Sequence, residues 1–217
     1  SVYFPLHMPT FMREKDFEEL WLPSFKDILE TFASQGVRSF IFCEDNWMRY
    51  IDHIQELPAG TVLQFEYGDP KVLKDKLGKK FILNSLFKSE YTRMGTPERC
   101  VDEAKKFLDI MLPGGGYTFG LDKGPLMASD VKLDNYIALA DTLHNYAVYN
   151  NAGESYGTPL NSENFTYDIS RIGKIESRCL FNFDDYQKNY PMVPNFAKAN
   201  FENYSLDVVK FYLSLLV

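Results

Sequence analysis

RSFIFCEDNW, residues 38–47, decides how this chain is read. A short apolar run, Phe40-Ile41-Phe42, stops in Glu44, Asp45 and Asn46, and a helical pattern starts at Trp47. A buried strand that ends in acids at the mouth of a helix is the βα junction of an α/β protein. In barrels of that class the reacting groups stand at this end of the strands. Glu44 is therefore the first candidate site residue.

Outward from this stretch the same unit recurs. Upstream, Val2 to Leu6 reads as a strand ending in His7-Met8-Pro9. Phe17, Leu20, Trp21, Phe25, Ile28, Leu29 and Phe32 then follow helical spacing across Pro23, which implies two helices or a kink. Gly36 stops that pattern before the strand Arg38 to Cys43. Downstream, Trp47, Tyr50, Ile51 and Ile54 mark a helix face, and Thr61 to Glu66 is a third strand. Asp69-Pro70 is an N-cap followed by proline at the first helical position, and that helix ends at Gly78. Phe81 to Leu83 is a fourth strand, ending in Asn84-Ser85, and Gly95-Thr96-Pro97-Glu98 starts the next helix. A fifth strand, Tyr117 to Phe119, follows Gly114-Gly115-Gly116 and ends near Leu121-Asp122-Lys123. Ser129 or Asp130 is expected to cap a last helix, with Leu133, Ile137, Ala140, Leu143 and Ala147 facing inward. Strands alternating with helices predict a parallel sheet, and the polar strand ends His7, Glu44, Glu66, Asn84 and Asp122 would converge on one mouth.

The 217 residues are 45% hydrophobic with a net charge of −7, enough for one cored domain and lacking any long basic cluster. Nucleic acid and anionic membrane are poor partners for such a surface, and no apolar run approaches the ~18 residues of a bilayer span. Three widely spaced cysteines without a CxxC pattern suit a reduced, cytoplasmic protein. The chain opens on SVYFPLH, already in an apolar run, as a fragment or a processed chain would. Residues 1–150 are read as the α/β part and 151–217 as an extension, in which an aromatic-rich helix starts near Asn195 and packs on the rest or on a partner subunit.

FCEDNW, ELPAGTV, EYGDPKVLKDKLGKKFIL, GTPERCVDEAKKFLDIMLPGGGYTF and SDVKLDNYIAL, in this order and spacing, closely resemble the C-terminal part of the uroporphyrinogen decarboxylase superfamily. The GTPE helix start, the glycines before the last strand, and Lys132 with Asn135 are the landmarks, and the likeness runs over about residues 4–147. It implies the C-terminal portion of a (β/α)8 TIM-type barrel, with about five strands of a fold that takes ~250 residues, plus an aromatic helical tail. The superfamily holds a porphyrin-pathway decarboxylase and many corrinoid-linked methyltransferases, and FCE-x-x-W with an aromatic tail looks closest to the latter branch. Methyl transfer between a small ligand and a cobamide on a partner corrinoid protein is the implied activity. The decarboxylase's arginine motif and catalytic aspartate belong to the part of the family not matched here. The zinc-thiol branch would place a His-x-Cys where this chain has Phe42 and Glu44, and a second cysteine near Lys123, so its standard zinc set is missing.

Glu44 is read as a general acid or a metal ligand, or else as an ordinary strand-end carboxylate. His7, on the neighbouring strand, would face it, and His7, Glu44 and Asp122 are the set available for zinc. Asn84 is the candidate positioning residue, and Trp47, Asp122 and Lys123 are candidates for binding substrate. Cys43 lies on the other side of the strand from Phe42 and Glu44 and reads as core. His53 and His144 read as surface or packing residues within helices. The alternatives to methyl transfer are porphyrinogen decarboxylation, for which Arg38, Arg49 and Arg93 are the candidate carboxylate binders, and an inactive partial barrel serving as an interaction subunit. A homodimer, or an N-terminal part, would then close the open sheet edges.

Overall fold

The computed structural model describes residues 1–149, 162–165 and 182–214. The chain divides into two compact units, the first reaching Thr166 and the second running from Tyr167 to Val217. In the first, five strands form one sheet in sequential order: β1 (Val2–Leu6), β2 (Ser39–Cys43), β3 (Val62–Phe65), β4 (Ile82–Ser85) and β5 (Tyr117–Thr118). The ladders β2–β3, β3–β4 and β4–β5 are parallel, and their register puts Phe42, Gln64, Asn84 and Thr118 in one row. The connections carry α1 (Glu14–Asp16) and α2 (Leu22–Ser34), α3 (Ile51–Ile54), α4 (Pro70–Leu77), then α5 (Glu90–Arg93) and α6 (Pro97–Met111), with α7 (Leu133–Tyr146) after β5. Among the described residues no helix is long and apolar enough to cross a membrane.

Strand alternation sorts the side chains into two unlike faces. Ile41, Cys43, Leu63, Phe65, Leu83 and Tyr117 are buried and join the helices in the core, with Leu29, Leu73, Leu77, Cys100 and Ala104. The intervening residues, Phe40, Phe42, Val62, Gln64, Ile82 and Asn84, are only half-buried. A sequentially ordered parallel sheet whose crossovers share one hand keeps its helices on a single face, which explains the asymmetry.

Local chemistry fixes most helix starts. Asp69 accepts the Val72 N–H at 3.0 Å at the head of α4, and Thr96 accepts that of Arg99 at 3.4 Å at the head of α6. Pro23 falls within the first turn of α2, and a π-helical turn, Phe17–Trp21, bridges it to α1. The extra residue in that turn shifts the helical phase at Leu20. Leu20 and Ile28, expected inward, are exposed, while Phe17, Leu22, Phe25, Leu29 and Ala33 are buried.

The last helix also departs from expectation. Ser129 and Asp130 lie in a separate 3-10 turn, where the Asp130 carboxylate accepts the N–H groups of Leu126 and Met127. Lys132 is the N-terminal boundary of α7 and makes no side-chain cap. Leu133, Ile137 and Ala140 are exposed, and the inward residues are Asn135, Leu139 and Thr142, with Leu143 partly buried against the core. Polar groups set that phase: Asn135 Nδ2 donates to Tyr91 O at 3.1 Å, and Lys132 Nζ donates to Gly95 O at 3.1 Å. The Lys132–Asn135 pair thus ties α7 to α5 and the turn that follows it.

Lys74 is buried, which pushes its pKa down, yet its ammonium donates to Met111 O at 2.8 Å and Gly115 O at 2.5 Å. It satisfies a carbonyl at the C-terminal end of α6, where the helix has no partner of its own to offer. In the second unit, α8 (Phe183–Asn189) and α9 (Lys198–Ser214) meet through Phe183–Phe201 and Tyr186–Phe201 ring contacts. A 3-10 turn, Asn195–Ala197, precedes α9, and two aromatic residues of this expected helix, Phe196 and Tyr204, are exposed. One of the three cysteines, Cys179, lies outside the described residues.

Candidate functional site

The half-buried sheet face is graded from one end to the other. Its lower row is apolar, with Phe40, Val62 and Ile82 side by side and the Tyr3 ring 5.4 Å from that of Phe40. Two residues on, the row is Phe42, Gln64, Asn84 and Thr118. Two further still stand His7, Glu44 and Glu66, at the C-terminal ends of β1, β2 and β3. Above this rim lies a cleft of about 570 Å³, lined among others by Phe42, Glu44, Gln64, Glu66, Arg93, Asp122 and Lys123.

The EDNW turn builds the rim at β2. Asp45 has a left-handed backbone (φ 62°), which an aspartate tolerates better than most residues, and this aims its N–H at Glu66 Oε2, 2.7 Å away. Asn46 Oδ1 accepts the Met48 N–H at 3.0 Å. Trp47 Nε1 donates to Glu44 O at 2.8 Å, which fixes the backbone carrying the carboxylate. Glu44 is left with its side chain over the cleft. Its Oε2 is in contact with His7 Nδ1, is buried, and receives no aligned hydrogen bond among the described residues.

His7 is held from behind. Tyr50 OH reaches Pro9 O at 2.6 Å and Met12 O at 2.7 Å, and Arg49 donates to Thr10 O. The Tyr50 ring stacks on Phe17 with centroids 4.0 Å apart, inside a cluster that includes Trp21 and Trp47. Aromatic pairs of this kind contribute about 0.5–1.5 kcal/mol each beyond their buried area. The segment that carries His7 is therefore fastened to the helix that follows β2.

Glu66 is the best-held acid of the site. Burial raises its pKa, but the Lys123 ammonium 2.9 Å away and the Asp45 N–H lower it by more, so the carboxylate is held below the usual range. Asp122 performs a structural task at the same rim. Its Oδ1 accepts from Ser89 N at 2.9 Å and Lys123 N at 2.7 Å, and its Oδ2 lies 3.3 Å from Lys88 Nζ. It locks the loops after β4 and β5 together. At β4 the strand kinks, with φ of 70° at Ser85 and 76° at Leu86, and Leu86 turns into the core instead of adding a rim residue.

Of the residues singled out in the sequence, His7 and Glu44 come together, while Asp122 and Lys123 line the same cleft. Asn84 shares their face but spends its carboxamide on Thr118 Oγ1, at 2.7 Å, and on the Ser85 hydroxyl. Trp47 is 2% exposed and serves the core and the Glu44 carbonyl, not the cleft wall. Cys43 is buried on the helix side, where burial pushes its thiol pKa far up. His53 lies 3.2 Å from Glu14, and His144 is exposed. Of the other lining residues, Glu66 was expected only as a polar strand end and Arg93 only as a carboxylate binder for the decarboxylase alternative, while Gln64 was not singled out. The period of two would have found Gln64, since Gln64–Glu66 repeats Phe42–Glu44.

A zinc ion here would need a third donor beside His7 and Glu44. A catalytic zinc takes three protein ligands, and among the described residues no three His, Cys, Asp or Glu side chains gather as a metal group. Asp122, the third member of the expected set, has both oxygens engaged by N–H donors and Lys88. What the arrangement offers is a carboxylate backed by an imidazole at the edge of a cleft, a pair able to store and deliver a proton. No protein-family model matches this chain, and no curated protein is significantly similar to it.

Proposed function

We propose that this chain is part of a (β/α)8 barrel of the uroporphyrinogen decarboxylase type, and that it works in methyl transfer between a small ligand and a cobamide carried by a partner protein. The observation that carries the reading is the Glu44–His7 pair at the strand-end cleft, with a buried, poorly satisfied Glu44 oxygen beside open space. The sequential strand order and the one-sided helix layer support a barrel segment over a doubly wound sheet, whose strand order reverses. The cobamide, when bound, would supply the methyl-accepting centre. The chain's own residues would hold the ligand over Phe42 and Gln64, and protonated Glu44 would give its proton to the oxygen that loses the methyl group. The departing group thus leaves as a neutral hydroxyl compound, and solvent restores the proton to Glu44 through the exposed His7.

Decarboxylation of a polycarboxylate has less support. It calls for several arginines around the ligand, and the cleft has one, Arg93, among four acids and Lys123. The test is incubation of the full chain with reduced cobalamin and a panel of small methoxy compounds, followed by the absorbance of methylcobalamin. Wild type should form it, and Glu44→Gln should slow the reaction by about 10²–10⁴-fold, the range of a lost general acid. Turnover at the wild-type rate in Glu44→Gln would remove the proposed role.

A further inference from the structure

The site face continues past the polar cleft. A second hollow, of about 360 Å³, opens between the end of β5 and α7 and is walled by Phe119, Leu139 and Leu143. It shares Gln64, Leu121, Gly124 and Pro125 with the first cleft, so the two are lobes of one space. Gln64 stands on β3 at the join. Its neighbour in the row, Asn84, is bonded on both sides, but the Gln64 carboxamide has no hydrogen-bond partner among the described residues. A carboxamide brings two donors and two lone pairs, and a half-buried one without a partner is a group waiting for water or a ligand.

We infer that the two lobes form a bipartite site for a small uncharged molecule, with a hydrogen-bonding head on Gln64 and an apolar ring in the β5–α7 lobe. The inference rests on the strand-end cleft being the ligand site, as proposed above, but not on methyl chemistry. Three observations set the ligand class. The carboxamide of Gln64 is matched two-fold by another amide, one donor and one acceptor on each side. The rim carries Glu44, Glu66, Asp122 and Asp130 against Arg93 and Lys123, which disfavours an anionic head. The lining beyond Gln64 is apolar, and the combined space is of the size that holds a ring-bearing small ligand.

Benzamide is the probe, titrated into the isotope-labelled full chain and followed by NMR, with acetamide, toluene and benzoate as the head-only, ring-only and charged comparisons. Benzamide should shift the Gln64 side-chain amide and the Leu139 and Leu143 methyl signals together, with one dissociation constant. The three comparison compounds should bind at least about tenfold more weakly, as expected when one of the two contacts is lost. Gly124→Leu should abolish binding without unfolding the chain, because a Cβ added at Gly124 meets nothing within 4 Å. Gln64→Leu should weaken benzamide by about tenfold and leave toluene unchanged. Shifts confined to one lobe, acetamide or toluene binding as tightly as benzamide, or full binding by Gly124→Leu would each overturn the inference. Methyl transfer from ringless donors, if seen while benzamide fails to bind, would leave the proposed function standing and remove only the ring lobe.

Discussion

Replacing Tyr50 by Phe removes one oxygen atom and leaves the ring stack on Phe17 in place, so its effect isolates the tie between the core and the His7 segment. Tyr50 is fully buried, and its hydroxyl is shared between Pro9 O and Met12 O. Pro9 O keeps a second donor, the Met12 N–H at 3.0 Å, whereas Met12 O loses the side-chain donor it has. Leaving such an acceptor unmet costs about 1–3 kcal/mol, and 1.5 kcal/mol is a fair central figure for one partly buried carbonyl. With a urea dependence of about 2 kcal/mol per molar, the midpoint should fall by about 0.7 M. Trp21 and Trp47 both lie against Phe17, so tryptophan fluorescence reads the unfolding of this unit. Amide exchange should quicken at Met12, next to the loosened tie, and stay unchanged at Leu63 in β3. A midpoint within about 0.2 M of wild type, outside the range of a lost buried hydrogen bond, would refute the claim that the hydroxyl fastens the loop.

Glu66 predicts the acid response. Because its folded pKa is depressed, its contribution to stability is present above the ordinary carboxylate value of about 4.3 and is lost as pH falls through the folded value. Unfolding midpoints of wild type and Glu66→Gln should therefore differ at about pH 6 and draw together as pH falls below the ordinary carboxylate value of about 4.3, and parallel curves would contradict the assignment. Gly120 predicts a packing limit: a Cβ there would lie 2.9 Å from Ser85 Oγ and 3.2 Å from Ser85 Cα. Since the neighbour is backbone in a left-handed kink, Gly120→Ala should cost about 1–3 kcal/mol, while Gly124→Ala, with nothing near it, should leave the midpoint unchanged. Equal midpoints for the two variants would show that β4 and β5 are not held as closely as drawn here.

The strands were legible because each is a short apolar run closed by polar residues, and period two alone placed Cys43 opposite Glu44. The helix starts at Asp69 and Thr96 were legible because their caps are chemical signatures with one geometry. The inward face of α7 was not, because apolar spacing pointed to Leu133 and Ile137 while a buried amide, Asn135, settles the phase through carbonyls some forty residues away. Leu20 was misplaced for a local reason, the π turn in which it lies. At the site, the His7–Glu44 contact follows from strand neighbourhood. The occupation of Asp122 by backbone N–H groups does not, since it depends on two loops that the sequence gives no means of docking together.

The unusual feature of this molecule is a parallel sheet with one face half-open, since parallel sheets are ordinarily covered on both. If that face simply met solvent, its outward positions would be charged along the whole strand. They are not: Phe40, Val62 and Ile82 form the lower row, Phe42, two amides and Thr118 the middle one, and in these rows charge enters at His7, Glu44 and Glu66. A row of half-buried Phe, Val and Ile needs something apolar across from it, while carboxylates at the far end need water or a polar ligand. Both demands are met if the face lines a hollow that closes below and opens at the strand ends. In such a hollow the middle row is the boundary between a dry floor and a charged mouth, and a ligand would be read there. Gln64, the member of that row with an uncommitted amide, is consequently the residue whose replacement should change what binds more than how well the chain folds.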